Sequence, residues 1–204
     1  MYKKYIKNIL DIFFATLLLI LLCPVFLLIA IAIKIWMGGD VFFIHPRPGF
    51  NEKAIQVFKF RTMNDKRDAN GNLLPAMQRV TGLGAFLRRS SLDELPQLIN
   101  VLKGEISFIG PRPLEMRYLP IYTAEQRRRH QVKPGITGWA QVNGRNSIGW
   151  EDKFRFDLEY VDKVSFLFDC QIFFMTIWKV LSREGVNADS NNTVIPFDQY
   201  MEGK

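Results

Sequence analysis

Apolar positions fall into one long block near the amino terminus and several short periodic runs after it. From Ile12 to Ile33 nearly every residue is apolar, broken only by Thr16, Cys23 and Pro24. A straight helix of that length reaches ~33 Å, enough to cross the hydrocarbon core of a bilayer. The run is too long for a signal peptide, and no small-x-small cleavage pattern follows it. Pro24 near its middle should kink or break the helix. Lys3, Lys4 and Lys7 precede it, and Lys34, Arg47, Lys53, Lys59 and Arg61 follow. The bias of positive charge toward the cytoplasm would keep both flanks on that side. A helix–break–helix that turns at Cys23-Pro24 and returns through one leaflet satisfies both features. An ordinary kinked transmembrane helix is the alternative.

Beyond the block, Val41–Ile44 and Ala54–Arg61 read as strands of a hairpin, with Pro46, Pro48, Gly49 and Asn51 in the turn. Residues 64–80 are polar and read as a long loop of the kind that serves as a lid. A helix is expected from Thr81 to Arg89, with Leu83, Phe86 and Leu87 inward. A second follows with Leu95, Leu98, Ile99 and Leu102 inward, stopping at Gly104. Residues 106–110 read as a buried extended segment and 151–160 as a polar helix. Residues 164–181 read as an amphipathic helix, packed on the core or lying at the membrane interface. The tail from Asn187 is polar and expected to be extended or loosely ordered. The chain is thus α+β and mostly helical. A re-entrant membrane segment (1–37) leads into a compact domain (38–186) with a small hairpin and interfacial helices, and a tail (187–204) follows.

Charge narrows the partners. Lysine and arginine number 27 against 20 acidic residues, a net charge of +7. That balance suggests nucleic acid, phosphorylated metabolites or an anionic membrane face. Cys23 sits inside the apolar run, so pairing with Cys170 is not expected and a reducing compartment fits best. The two histidines lack zinc-ligand spacing.

The candidate chemistry centres on Ser90-Ser91-Leu92-Asp93-Glu94-Leu95-Pro96-Gln97, directly after Arg88 and Arg89. Ser91-x-x-Glu94 fits a capping box, which would converge backbone N–H groups and the helix dipole near Asp93 and lower its pKa. Asp93 then reads either as a cap or as an ionised group able to attack or to hold a metal. Pro96 leaves the helix start at Leu92 or Asp93. Lys59 and Arg61 share one strand face, toward a phosphate or toward solvent. Arg112, between Pro111 and Pro113, is held extended, either aimed at an anion or part of a rigid turn. Residues 125–130 form a basic patch suited to solvent or to lipid headgroups. Between Lys133 and Arg145 three glycines imply tight turns and close backbone approach, without a P-loop or dinucleotide fingerprint. Trp139 there either stacks on a base or fills the core.

Four blocks in order, Phe58–Met63, Arg88–Gln97, Phe108–Pro113 and Lys133–Arg145, after an apolar start, resemble the bacterial sugar transferase family, the monotopic phosphoglycosyl transferases. Size and layout are similar to its small, PglC-type members, which begin N-glycan assembly. The resemblance implies an enzyme at the cytoplasmic face of the bacterial inner membrane. With Mg²⁺ it would transfer a sugar-1-phosphate from a UDP-sugar to undecaprenyl phosphate, releasing UMP. Membrane lipids and downstream glycosyltransferases would be further partners.

Carried onto this chain, Asp93 matches the family's nucleophile, also expected at the metal, and Glu94 its partner. Arg88, Arg112, Arg145 and Lys59 become candidates for binding phosphate, and Asp157 for a substrate contact. Family members often break the membrane helix at Ser-Pro, where this chain has Cys23-Pro24. N,N′-diacetylbacillosamine is the sugar suggested by the small-member likeness. Two alternatives remain: direct transfer in a ternary complex with Asp93 as metal ligand only, and a non-catalytic, membrane-anchored basic module. The basic module, including a nucleic-acid binder, leaves the four blocks unexplained.

Overall fold

A computed structural model describes residues 1–144, 147–182 and 195–203. After a π-helical turn over Tyr2–Ile6, helix α1 runs from Lys7 to Met37 with Pro24 inside it. The segment is long and apolar enough to cross a membrane. Pro24 does not interrupt the helix, so the expected separation into two helices is absent from the secondary structure.

One stripe of α1 is buried along nearly its whole length. Lys7 pairs with Asp169 at 2.6 Å, and the Asp11 carboxylate accepts from the backbone N–H of Phe108 at 3.2 Å. Ala15 packs with Ile55, Val57, Leu98 and Val101, while Ile29 and Ile33 pack with Phe60 and Leu87. At the far end Thr81 Oγ1 lies 3.5 Å from Met37 Sδ. The opposite face stays bare: Ile20, Leu21, Leu28, Ile35 and Trp36 are all more than two-thirds exposed.

The hairpin forms between β1 (Phe42–Pro48) and β2 (Ala54–Phe60), antiparallel, with Phe42 opposite Phe60 and Pro48 opposite Ala54. Pro46 and Pro48 therefore belong to the strand and not, as expected, to the turn. A two-stranded sheet has only edge strands, where a missing N–H can face away from the partner. The polar loop is not featureless, since it carries bridges Met63–Val80 and Arg67–Leu73 and a short helix α2 (Ala76–Arg79). Helix α3 (Gly82–Arg89) starts as expected, with Thr81 Oγ1 accepting from the Gly84 N–H.

Leu92–Glu94 is a 3₁₀ turn, and helix α4 (Gln97–Leu102) begins only after Pro96. Buried Asn100 ties α4 to β2 by accepting from the Phe58 N–H at 3.1 Å and donating to the Gln56 carbonyl at 2.6 Å. Strands β3 (Ser107–Ile109) and β4 (Gly135–Thr137) pair in parallel. Between them runs α5 (Ala124–Arg127), flanked by 3₁₀ turns. The glycines do bring backbones together: a Cβ on Gly135 or Gly138 would sit 2.1 Å from Gly110 backbone atoms.

Helices α6 (Trp139–Val142), α7 (Trp150–Lys163) and α8 (Phe166–Leu181) complete the domain. Trp139 takes a structural place, its indole N–H donating to Glu159 at 2.8 Å and its ring against Phe168. On α8, Phe166, Leu167, Phe173, Phe174 and Trp178 are at least half exposed. The tail is not simply extended. Helix α9 (Phe197–Glu202) buries Phe197 completely among Tyr118, Tyr122, Trp150 and Phe154. Both cysteines are free thiols.

Candidate active site

The end of β2, the α3–α4 junction and the segment after β3 meet at one cleft of about 1110 Å³. Its walls carry nine lysines and arginines against Asp65, Asp93, Glu94 and Asp157. Leu18 and Leu22 of α1 form part of the same lining. The cleft is therefore cationic, with one apolar side contributed by the long helix.

Asp93 and Glu94 reach it by a route the sequence pattern did not show. Ser91 adopts a left-handed conformation (φ 55°), and its side chain caps nothing. The expected capping box is therefore absent. The left-handed residue instead reverses the chain after α3 into the 3₁₀ turn. The Ser91 carbonyl accepts from the Glu94 N–H at 3.3 Å.

The two carboxylates differ sharply. Glu94 is only 16% exposed, and its Oε1 accepts from Lys59 Nζ at 2.7 Å and Arg112 Nη2 at 2.6 Å. Burial alone would raise its pKa, but Arg112 and Lys59 outweigh burial and hold it at about 2. Glu94 in turn raises the pKa of Arg112. Among the described residues Asp93 has no hydrogen-bond or ion-pair partner for its carboxylate. Burial and the adjacent Glu94 charge push its pKa up, against Lys59, Arg112 and Arg88, which pull it down. The expected lowering by a helix cap is thus reversed, because Asp93 is desolvated, a like charge stands beside it and the capping box is not made.

Of the other expected residues, Lys59 and Arg112 meet at Glu94, Lys59 largely covered and Arg112 still partly open to solvent. Arg88 donates from Nε to Thr62 Oγ1 at 3.0 Å. That contact depends on Gly84, since a Cβ there would lie 1.9 Å from the Thr62 carbonyl oxygen. Asp157 lines the cleft but is buried against Arg129, which donates to it from Nε (3.0 Å) and Nη2 (2.7 Å). Arg145 lies outside the described residues.

The basic patch over 125–130 is corrected at its centre. Arg129 is buried and its Nη2 also donates to the Arg112 carbonyl at 2.7 Å, while Arg127 pairs with Glu52. A run of three arginines gave no sign of which one turns inward. His45 and Trp150 also line the cleft unanticipated. Burial, Arg47 and Lys59 hold His45 at a pKa of about 4, so it is neutral at physiological pH.

No cluster of three metal-ligating side chains occurs among the described residues. The donor set suits magnesium all the same, because that ion needs only one or two carboxylates when substrate phosphates supply the rest. Asp93 offers a carboxylate with no internal partner.

Comparison with known proteins settles the lineage. The family model described as bacterial sugar transferase matches residues 2–183. The chain belongs to the bacterial sugar transferase family. It is 49% identical over 192 residues to an uncharacterized sugar transferase, EpsL, of Bacillus subtilis, covering 94% of this chain and 95% of that one. It is 45% identical over 191 residues to the UDP-glucose:undecaprenyl-phosphate glucose-1-phosphate transferase of Escherichia coli. That match takes in 87% of this chain but 40% of the longer relative. The exopolysaccharide production protein ExoY of Rhizobium meliloti is 37% identical, with 88% and 87% covered. Membership makes this chain an enzyme of the phosphoglycosyl transferase class.

Proposed function

We propose that the protein transfers a sugar-1-phosphate from a UDP-sugar to undecaprenyl phosphate through a covalent intermediate on Asp93. The observation that carries this reading is the contrast between neighbours: Glu94 is locked by two cations, and Asp93 stands unpartnered in the same cationic cleft. A carboxylate without internal partners is free to act as a nucleophile.

An Asp93 oxygen attacks the β-phosphorus of the UDP-sugar. The bond from that phosphorus to the oxygen bridging the two phosphates breaks, and UMP departs with the electron pair. A phosphate oxygen of the lipid acceptor then attacks the same phosphorus. Asp93 is released and a diphosphate joins lipid and sugar. Lys59, Arg88 and Arg112 supply fixed positive charge to the phosphoryl oxygens, which such transfer requires. Glu94 keeps Lys59 and Arg112 in place. Mg²⁺, held by Asp93 and the substrate phosphates, would neutralise charge on the leaving group. Relatives named for UDP-glucose make glucose the first sugar to test, ahead of N,N′-diacetylbacillosamine.

The membrane disposition we propose is re-entrant, at the cytoplasmic face of the inner membrane. Residues 1–37 insert and 38–186 carry catalysis. Contacts from Lys7 to Met37 hold α1 against the domain along its length, so a straight crossing would drag polar surface into lipid. Exposed apolar residues on α1 and α8 would then face hydrocarbon and headgroups.

The test is intact-protein mass spectrometry of detergent- or nanodisc-held protein with Mg²⁺ and a panel of UDP-sugars, without lipid acceptor. An adduct of sugar-phosphate mass, absent in Asp93→Ala, supports the covalent route and identifies the sugar. UMP formed only once undecaprenyl phosphate is present, with no adduct, would replace it by direct transfer.

A further inference from the structure

Arg79, the last residue of α2, lines the cleft at a point the proposed reaction does not use. Its Nε is closed off from solvent and has no hydrogen-bond partner. Among the described residues no carboxylate stands within ion-pair distance of its guanidinium. Its neighbours are differently placed. Arg61 donates to the Gly38 and Met63 carbonyls at 2.9 and 3.0 Å and pairs with Asp65. Arg88 is fixed on Thr62.

Residues 61–64 contact all three arginines, Arg61 and Arg88 by their guanidiniums and Arg79 by its backbone. Met63 bridges to Val80, and the Arg79 carbonyl accepts from the Asn64 N–H at 2.9 Å. This segment also abuts the end of the apolar helix. Arg61 holds Gly38, and Thr81, two residues after Arg79, touches Met37. A guanidinium without an internal acceptor thus lines the cationic cleft, to which the lipid-facing helix contributes Leu18 and Leu22 further along its length. That pairing suits a phosphate monoester carried on an apolar chain, because an arginine fork matches phosphate oxygens and the hydrocarbon finds an apolar wall.

We infer that Arg79 holds the phosphate of the lipid acceptor at the membrane end of the cleft, leaving Lys59 and Arg112 to the donor. The inference rests on the proposed function for the identity of the acceptor. The diphosphate of the donor is the other source of the same chemistry, and the test separates the two.

Wild type, Arg79→Ala and Arg79→Lys are held in nanodiscs and titrated with undecaprenyl phosphate, with undecaprenol, and separately with UDP and Mg²⁺. Native mass spectrometry reads retained lipid, and calorimetry reads UDP. Neither needs turnover, so failure of the covalent mechanism shows as a missing adduct in wild type and leaves this test standing. Arg79→Ala is expected to weaken retention of undecaprenyl phosphate about 10–100-fold, the range for one charged hydrogen bond. Arg79→Lys should recover part of it, and undecaprenol retention should be the same in all three. Melting temperatures of the variants within a degree or two of wild type establish that the fold is kept. Equal retention of undecaprenyl phosphate by all three overturns the inference. So does weakened UDP binding with lipid retention intact, which would move Arg79 to the donor.

Discussion

Arg129 and Asp157, 28 residues apart in sequence, form a buried pair in which Nε and Nη2 both donate to one carboxylate oxygen, at 3.0 and 2.7 Å. The same Nη2 holds the Arg112 carbonyl at 2.7 Å, and the Arg112 side chain grips Glu94. A chain of contacts therefore runs from the interior of α7 to Glu94 in the cleft. Removing one member strands a charge in the core. Asp157→Ala is expected to lower stability by about 3–5 kcal/mol, measured by chemical denaturation in detergent. Asp157→Asn should cost less but loosen Arg112. UDP-sugar turnover should then fall by more than the unfolded fraction accounts for. Full activity in a folded Asp157→Asn protein would break this link.

Asp93 carries a raised pKa, so ionising it costs folding free energy. Its contribution to stability is fully present below the pKa of the unfolded chain and is lost as pH rises through the folded value. Asp93→Asn should therefore stabilise the protein at pH 7, with the gain shrinking toward zero in acid, while transfer is abolished. Denaturation midpoints of the variant and wild type from pH 4 to pH 8 check the sign. A variant less stable than wild type at pH 7 would contradict the raised pKa.

Glu94 behaves oppositely. With its pKa held at about 2, its contribution is present above the unfolded value and is lost only as pH falls toward 2. The downward shift corresponds to stabilisation on the order of 3 kcal/mol at neutral pH. The acid limb of activity should then report Asp93 and not Glu94. Glu94→Gln removes a like charge beside Asp93 and frees Lys59 and Arg112 to act on it. Both changes lower the Asp93 pKa, so the acid limb should move to lower pH although the maximal rate drops. An unmoved or upward-shifted limb would show that Asp93 does not set it.

Much of this arrangement was legible in the chain. The apolar block, the hairpin, the helix from about Thr81 to Arg89 and the stop at Gly104 follow from local preference and spacing. The four blocks name the family because their residues and order are specific. What sequence did not show depends on backbone geometry or on distant partners. Ser91 takes a left-handed conformation that its side chain does not favour, so the Ser91–Glu94 spacing imitates a capping box that is not made. Pro46 and Pro48 signal a turn in most contexts, yet an edge strand accommodates them. Arg128 also pairs with α7, through Asp162, but Arg129 alone of the three is buried, against Asp157, a relation no local pattern encodes.

The close approach of Gly84 to Thr62 ties α3 to the end of β2. Gly84→Ala would place a methyl 1.9 Å from a backbone oxygen, which cannot give way as a side chain tip can. Overpacking of this kind typically costs about 1–3 kcal/mol. Here it should also break the Arg88–Thr62 contact. Melting temperature and transfer rate should fall together, with phosphate affinity reduced, whereas Gly82→Ala, which meets open space, should leave both near wild type.

The tail supplies the last prediction. Phe197 is fully buried among four aromatic rings, and the Trp150 indole N–H donates to the Ile195 carbonyl at 2.8 Å. Arg117 fixes the same segment through Asp198 at 2.6 Å. Trp150 lines the cleft, so the tail braces one wall of the site from behind. Phe197→Ala should destabilise the protein by about 3–5 kcal/mol, the range for emptying a buried phenylalanine site. Phe197→Leu should restore much of the loss. Asp198→Ala, which removes an exposed ion pair, should change stability by less than about 1 kcal/mol. Trp150 fluorescence should shift in Phe197→Ala and stay close to wild type in Asp198→Ala. The same spectrum for both variants would mean that the aromatic packing does not hold Trp150.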